Sequence, residues 1–64
     1  MNAMNLIESG TFAEACYNQN SIVELESALR EPADRTDMQT WGLTEDEYYA
    51  QIKLALAAKR GDAA

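Results

Sequence analysis

Three stretches of this chain place hydrophobic residues at the three- and four-residue intervals of an amphipathic helix. The longest stretch covers about residues 45–60. No stretch shows the strict alternation of hydrophobic and polar residues that marks a half-buried strand. The hydrophobic face of the longest stretch consists of Tyr48, Tyr49, Ile52, Ala55 and Leu56. The pattern therefore predicts an all-α protein.

Capping boxes mark where the three helices begin. In this motif the hydroxyl of a serine or threonine at the N-cap accepts a hydrogen bond from the backbone amide of the third residue after it. The glutamate at that third position accepts in turn from the backbone amide of the N-cap residue. The pairs are Thr11 with Glu14, Ser21 with Glu24, and Thr44 with Glu47. Pro32 disfavours helical geometry at Glu31, and Gly61 is placed to stop the last helix. The predicted main helices cover about 12–18, 22–30 and 45–60.

Two shorter helical turns are expected beside the main helices. One covers 3–9 and is stopped by Gly10; the other covers 37–41, begins with a weaker box of Thr36 and Gln39, and is stopped by Gly42. Residues 62–64 are expected to fray. The whole of 1–64 is thus predicted to be one small helical domain, a bundle of three main helices with one or two extra turns.

The same helical spacing predicts which residues form the core. The inward faces contain Phe12, Ala15 and Cys16 in the first helix and Ile22, Leu25, Ala28 and Leu29 in the second. We expect Trp41 to be the main core residue, folded under the last helix by Gly42; the alternative is that Trp41 anchors a protein interface. Tyr48 and Tyr49 point about 100° apart on a helix, so one of them, with Leu54, is expected to offer an exposed apolar contact surface.

A chain of 64 residues has little core to stabilise it, because a domain of about 60 residues buries only about 60% of its unfolded surface. Cys16 is the only cysteine and histidine is absent, which excludes an internal disulfide and a zinc site built on these residues. Self-association or a partner is therefore the expected support. A single cysteine fits a reducing compartment. The sequence also has neither 18 consecutive apolar residues nor a signal-peptide pattern, so we predict a cytoplasmic protein.

Acidic residues outnumber basic ones by 11 to 5, giving a net charge of −6. The first 29 residues contain no lysine or arginine, and 31–47 contain six acids and only Arg35. Nucleic acids and anionic membranes are bound through lysine and arginine. We therefore expect no direct binding of nucleic acid and no membrane association.

No catalytic, cofactor-binding or metal-binding residue is predicted, and the chain is not expected to be an enzyme. Cys16 has no histidine to activate it, so it is interpreted as a buried structural residue. Asp34 and Asp37, with Glu31 nearby, could hold a hard cation, but they lack the ligand spacing of a calcium loop. We interpret these two aspartates as loop residues that help to cap the next helical turn.

Charge and size favour a small acidic protein-binding module, an inhibitor or regulator that covers a basic surface on a partner protein. By analogy of size and charge alone, antitoxins and host-defence inhibitors of phages or plasmids are the expected class. A helical homo-oligomer, such as a homodimeric assembly subunit, is the alternative. A helix-turn-helix nucleic-acid binder is disfavoured by the acidic first turn of helix 45–60. The predicted contact residues are Glu24, Glu26, Glu31, Asp34, Asp37, Tyr48 and Leu54.

Overall fold

The computed structural model describes residues 7–63, and this part of the chain contains helices and no strand. The prediction of an all-α protein is confirmed. Each of the three predicted main helices has a counterpart, and a further helix, α3, is as long as α2, with seven residues each. The four helices are α1 (Phe12–Gln19), α2 (Ile22–Ala28), α3 (Arg35–Trp41) and α4 (Glu45–Ala63).

Two of the predicted capping boxes are fully formed. At α2 the Ser21 hydroxyl accepts from the Glu24 amide at 3.2 Å, and the Glu24 carboxylate accepts from the Ser21 amide at 2.8 Å. At α4 the corresponding bonds between Thr44 and Glu47 are 3.2 and 3.0 Å. The local sequence therefore determines where these two helices begin.

The box at α1 is only half formed. The Thr11 hydroxyl accepts from the Glu14 amide at 3.3 Å, as predicted, but the Glu14 carboxylate accepts from the Gly10 amide at 3.0 Å. The start of α1 is also bound to α4, because the Ala13 amide donates to the Gln51 side chain at 3.1 Å. This long-range bond satisfies one of the amides that the first turn of a helix leaves without a partner.

The start predicted for the 37–41 turn is wrong, whereas its end at Gly42 is confirmed. Helix α3 begins at Arg35, because the Asp34 carboxylate accepts from the Asp37 amide at 3.1 Å and so replaces Thr36 as the cap. Aspartate is at least as good an N-cap as threonine. Gly42 adopts the left-handed conformation at φ 66° and ends the helix.

The ends predicted for the second and fourth helices are wrong. Helix α2 stops at Ala28, and the Arg30 amide then bonds to the Ser27 carbonyl at 3.0 Å in a tighter turn. Helix α4 continues through Gly61 to Ala63. Gly61 is not among the glycines with positive φ in the described part, and the Tyr17 hydroxyl donates to Asp62 and holds the extra turn against α1.

Part of the predicted short turn at 3–9 lies outside the described residues. Residues 7–9, which are described, are not helical. In the predicted frayed end, residues 62 and 63 belong to α4, and residue 64 lies outside the described residues.

The core forms where α4 packs against α1 and α2. Its most deeply buried large side chains are Leu25 and Ile52. A smaller cluster brings Ile7, Ala13 and Ala58 together. The main cluster consists of Phe12, Cys16, Leu25, Tyr48, Ile52, Ala55 and Leu56. No helix between residues 7 and 63 combines the length and hydrophobicity needed to cross a membrane.

Candidate functional site

A cleft of about 340 Å³ opens between α1, α2 and α3, with α4 beneath it. Phe12, Leu25 and Ile52 contribute apolar side chains to its lining, and the acidic residues Glu24 and Asp37 also line it. We call this depression the acidic cleft. Its full lining is Phe12, Ala15, Cys16, Gln19, Asn20, Glu24, Leu25, Ala28, Asp37, Trp41, Tyr48 and Ile52.

A row of four aromatic rings passes the acidic cleft, and Trp41, Phe12 and Tyr48 of this row line it. The Trp41 ring lies 5.8 Å from the Phe12 ring, which stacks on Tyr48 at 5.4 Å. Tyr49 then meets Tyr48 edge-on at 5.3 Å. Contacts of this geometry are favourable beyond the area they bury, so Trp41 is held in place although it stands at the end of the row.

Trp41 is 38% exposed, and the prediction that it is the main core residue is wrong. Phe12 and Tyr48, which are 8% and 6% exposed, already fill the space beneath it. Trp41 therefore covers the core from outside and presents part of its ring to solvent. This is the position required by the alternative, in which Trp41 anchors an interface.

Burial keeps the ionisable groups at the floor of the cleft protonated. Cys16 is 4% exposed, as the sequence predicted, and burial together with the charge of Asp37 raises the pKa of its thiol to about 11. Burial is also the main cause that raises the Tyr48 pKa. At neutral pH the Cys16 sulfur is therefore a thiol rather than the nucleophilic thiolate.

No lysine or arginine between residues 7 and 63 joins the acidic residues in lining the cleft. Loss of solvent and the neighbouring charge of Asp34 raise the pKa of Asp37, whereas hydrogen bonds from Ser21 lower the pKa of Glu24. The lining contains no lysine or arginine among the described residues. The cleft therefore combines an apolar floor with negative charge that this part of the chain does not neutralise.

The structure brings three of the predicted contact residues together. Glu24, Asp37 and Tyr48 all line the acidic cleft. Asp34 adjoins it, since its carboxylate caps α3 and raises the Asp37 pKa. The sequence left open which tyrosine is exposed: Tyr48, named as an apolar contact residue, is buried against Phe12, and its neighbour Tyr49 is half-buried.

The other three predicted contact residues lie away from the cleft. Glu26 forms an ion pair with Arg60 at 2.5 Å. Glu31 is exposed, and its carbonyl accepts from the Tyr49 hydroxyl at 2.6 Å. Leu54 is half-buried against the smaller core cluster and lines a separate depression. These three residues therefore do not form one surface with the acidic cleft.

Sequence reasoning missed Gln19 and Asn20, two polar residues that line the cleft. They belong to a run of three polar residues that signals the end of α1. That signal gives no direction for the side chains, since the direction depends on how α2 turns back after Asn20.

Charged side chains are paired around the C-terminal half of α4. We call this part of the molecule, which includes residues of α1 and α2, the paired-charge end. It consists of Tyr17, Glu26, Lys59, Arg60 and Asp62. The Lys59 ammonium lies 4.8 Å from the centre of the Tyr17 ring, and the Tyr17 hydroxyl donates to Asp62. Arg60 with Glu26 is the one ion pair between side chains of residues 7–62.

Asp34 and Asp37 do not belong to a group of metal-ligating side chains. Among the residues that the structure describes, no three histidine, cysteine or acidic side chains come together in a way that could hold a metal ion. Asp34 instead caps α3, which confirms the capping role predicted for it.

Comparisons of this chain with protein-family models, with curated proteins and with solved structures find no significant match. The proposals below therefore rest on the chemistry of the chain itself.

Proposed function

We propose that this chain is a small acidic protein-binding module, an inhibitor or regulator that covers a basic surface on a partner protein. One observation carries the proposal: Glu24 and Asp37 line a cleft beside the half-exposed Trp41, and no lysine or arginine of residues 7–63 lines it. A basic partner supplies the missing positive charge.

Electrostatics and shape favour the same kind of partner. The net charge of −6 raises the rate at which a positively charged surface is encountered, and it disfavours acidic partners. Tryptophan is enriched among the residues that contribute most to binding energy. Trp41 is therefore the proposed anchor, with Glu24, Asp34 and Asp37 as the charges around it.

Affinity purification from the native host, with two matched variants, tests the proposal. In the cleft variant, Asp34→Asn and Asp37→Asn are combined; asparagine is also a good N-cap, so α3 is retained. The control variant combines Asp46→Asn and Glu47→Gln and removes the same charge from the first turn of α4. We expect the native protein and the control to retain a basic partner that high salt releases, and the cleft variant to lose it.

The purified partner is then titrated against all three proteins. Equal affinity for the cleft variant and the native protein would show that another surface makes the contact. Recovery of nucleic acid in place of a protein would favour the helix-turn-helix alternative. A toxin, a nuclease or a defence protein as the partner would support the antitoxin-like or defence-inhibitor-like class and a phage or plasmid origin. We also propose a cytoplasmic location, because the single cysteine fits a reducing compartment.

A second candidate function, a homodimeric assembly subunit, is favoured by an apolar patch on α2. Val23 is 72% exposed, and with Ile22 and Tyr17 it lines a depression of about 470 Å³. Sedimentation velocity at micromolar concentration tests this candidate. A dimer that Val23→Ser dissociates and Glu45→Gln leaves intact would support it; a monomer at every concentration would contradict it.

A further inference from the structure

The acidic cleft has three chemical parts that match one side chain. Its floor includes apolar side chains, its wall ends in an aromatic ring with free surface, and two acidic residues line it. We infer that the acidic cleft takes the side chain of an arginine on the basic partner. This inference rests on the proposed function and names the group that the partner inserts.

The aliphatic part of arginine matches the floor. Long basic side chains bury their methylene stems against apolar surface while the charged head stays in a polar environment. Here the stem lies against Ala15, Ala28 and Trp41, the apolar lining residues that keep surface exposed. A volume of about 340 Å³ is near the lower end of the about 300–1,000 Å³ of small-ligand pockets, so the cleft suits one side chain better than a larger group.

The guanidinium group matches the margin. A planar cation stacks on an aromatic face and binds a carboxylate through two parallel hydrogen bonds, and lysine does neither as well. Trp41 is the aromatic group with free surface, and Asp37 lies one helical turn before it on α3. The two residues are therefore presented together by one helix.

The charges that face Asp37 explain why a cation is favoured. Asp34 at the N-cap of the same helix and Glu24 across the cleft are acidic, and Cys16 and Tyr48 beneath Asp37 are neutral at pH 7. An incoming guanidinium stabilises the Asp37 carboxylate and lowers its pKa from the raised value of the free protein. Binding therefore weakens as the pH falls through the Asp37 pKa.

Blocked alanine pentapeptides with arginine, lysine or citrulline at the centre test the inference. Citrulline keeps the shape of arginine and lacks its charge. Trp41 is the only tryptophan, so its fluorescence reports directly on the cleft, and amide NMR spectra map the rest of the surface. We expect the arginine peptide to shift Trp41, Gln19 and Asn20, the lysine peptide to bind more weakly, and the citrulline peptide to leave the cleft unchanged.

Two pairs of variants distinguish binding in the cleft from attraction by the overall negative charge of the protein. Asp37→Asn should weaken the arginine peptide about tenfold or more, since hydrogen bonds between two charged groups are stronger than neutral ones. Asp46→Asn, which removes the same charge elsewhere, should change affinity by less than about twofold. Glu24→Gln and Glu47→Gln form the second pair, because both residues complete capping boxes and only Glu24 lines the cleft.

The outcomes distinguish this inference from the proposed function. Equal binding of the arginine and citrulline peptides, or equal effects of Asp37→Asn and Asp46→Asn, would overturn the arginine inference. If the cleft variant nevertheless loses the native partner, the proposed function stands without it. The third outcome is that the arginine peptide binds the cleft specifically but no partner protein requires Asp34 and Asp37 for binding. This result would support the arginine inference and contradict the proposed function.

Discussion

The charged side chains near the two ends of α4 are arranged differently. At the paired-charge end, Glu26 meets Arg60 at 2.5 Å and Lys59 lies over Tyr17 at 4.8 Å. At the acidic cleft, Glu24 and Asp37 line a depression to which the described residues contribute no cation. Part of the net charge of −6 therefore lies where a partner can neutralise it, which the total charge alone does not show.

The acidic cleft and the paired-charge end differ in charge, but both depend on the same hydrophobic core. Exposed ion pairs contribute only about 0–1 kcal/mol, whereas full burial of one large aliphatic side chain contributes about 1.5–3 kcal/mol. Ile52 lies near the middle of α4 and is 1% exposed. The folded state therefore depends on this shared core, and the charges determine what its surface can bind.

The largest expected effect is unfolding, which removes the acidic cleft and the paired-charge end together. Ile52→Ala should cost about 2–5 kcal/mol, through lost burial and the cavity left behind, and should unfold much of a chain of this size. Urea unfolding followed by circular dichroism measures the change. Val23→Ala is the control, because Val23 is 72% exposed and should change stability by at most about 0.5 kcal/mol. Equal effects would contradict the core described above.

The next effect appears at high pH and concerns the floor of the cleft. The pKa of Cys16 is raised from 9.0 to about 11, so the unfolded chain loses this proton at a lower pH than the folded chain does. Stability from this group is complete below pH 9 and is lost as the pH rises to about 11. The expected loss by pH 11 is about 2 kcal/mol.

Cys16→Ala isolates this contribution. The variant is less stable at every pH, but its stability should fall less steeply than that of the native protein between pH 9 and 11. The difference between the two curves removes most of the effect of Tyr48, whose pKa is raised mainly by burial in both proteins. Parallel curves would show that the thiol ionises as freely in the folded chain as in the unfolded one.

Local sequence predicted the starts of the helices better than their ends. The boxes at Ser21 and Thr44 need only residues three apart, and both are formed as predicted. The end of α4 depends on Tyr17, which is 45 positions away from Asp62 along the chain. A glycine such as Gly61 stops a helix only if the chain takes the left-handed turn there, and a distant contact can decide this.

The candidate site was predicted only in part for the same reason. The charge pattern pointed to Glu24, Asp34 and Asp37, which the structure places at or beside one cleft. Helical spacing could not decide which of two adjacent tyrosines is buried. That choice depends on Phe12, which stacks on Tyr48 from another helix.

A smaller effect tests the helix that carries the cleft aspartates. Asp34→Ala should cost about 1 kcal/mol, because it removes the N-cap of α3, whereas Thr36→Ala should change stability by at most about 0.5 kcal/mol. Thermal unfolding measures both variants. A larger loss from Thr36→Ala would restore the capping box predicted from the sequence. The cleft variant avoids this effect, since asparagine caps as well as aspartate does.

The smallest effect is expected at the paired-charge end. Arg60→Ala should cost about 0.2–1 kcal/mol at low salt, because the pair with Glu26 is exposed, and the loss should shrink as salt screens the pair. Arg30→Ala, which removes an exposed arginine outside this end, is the control. Urea unfolding at two salt concentrations measures both. If Arg60→Ala also altered binding of the arginine peptide, the two ends would be coupled; unchanged binding would show that the paired charges stabilise α4 without taking part in recognition.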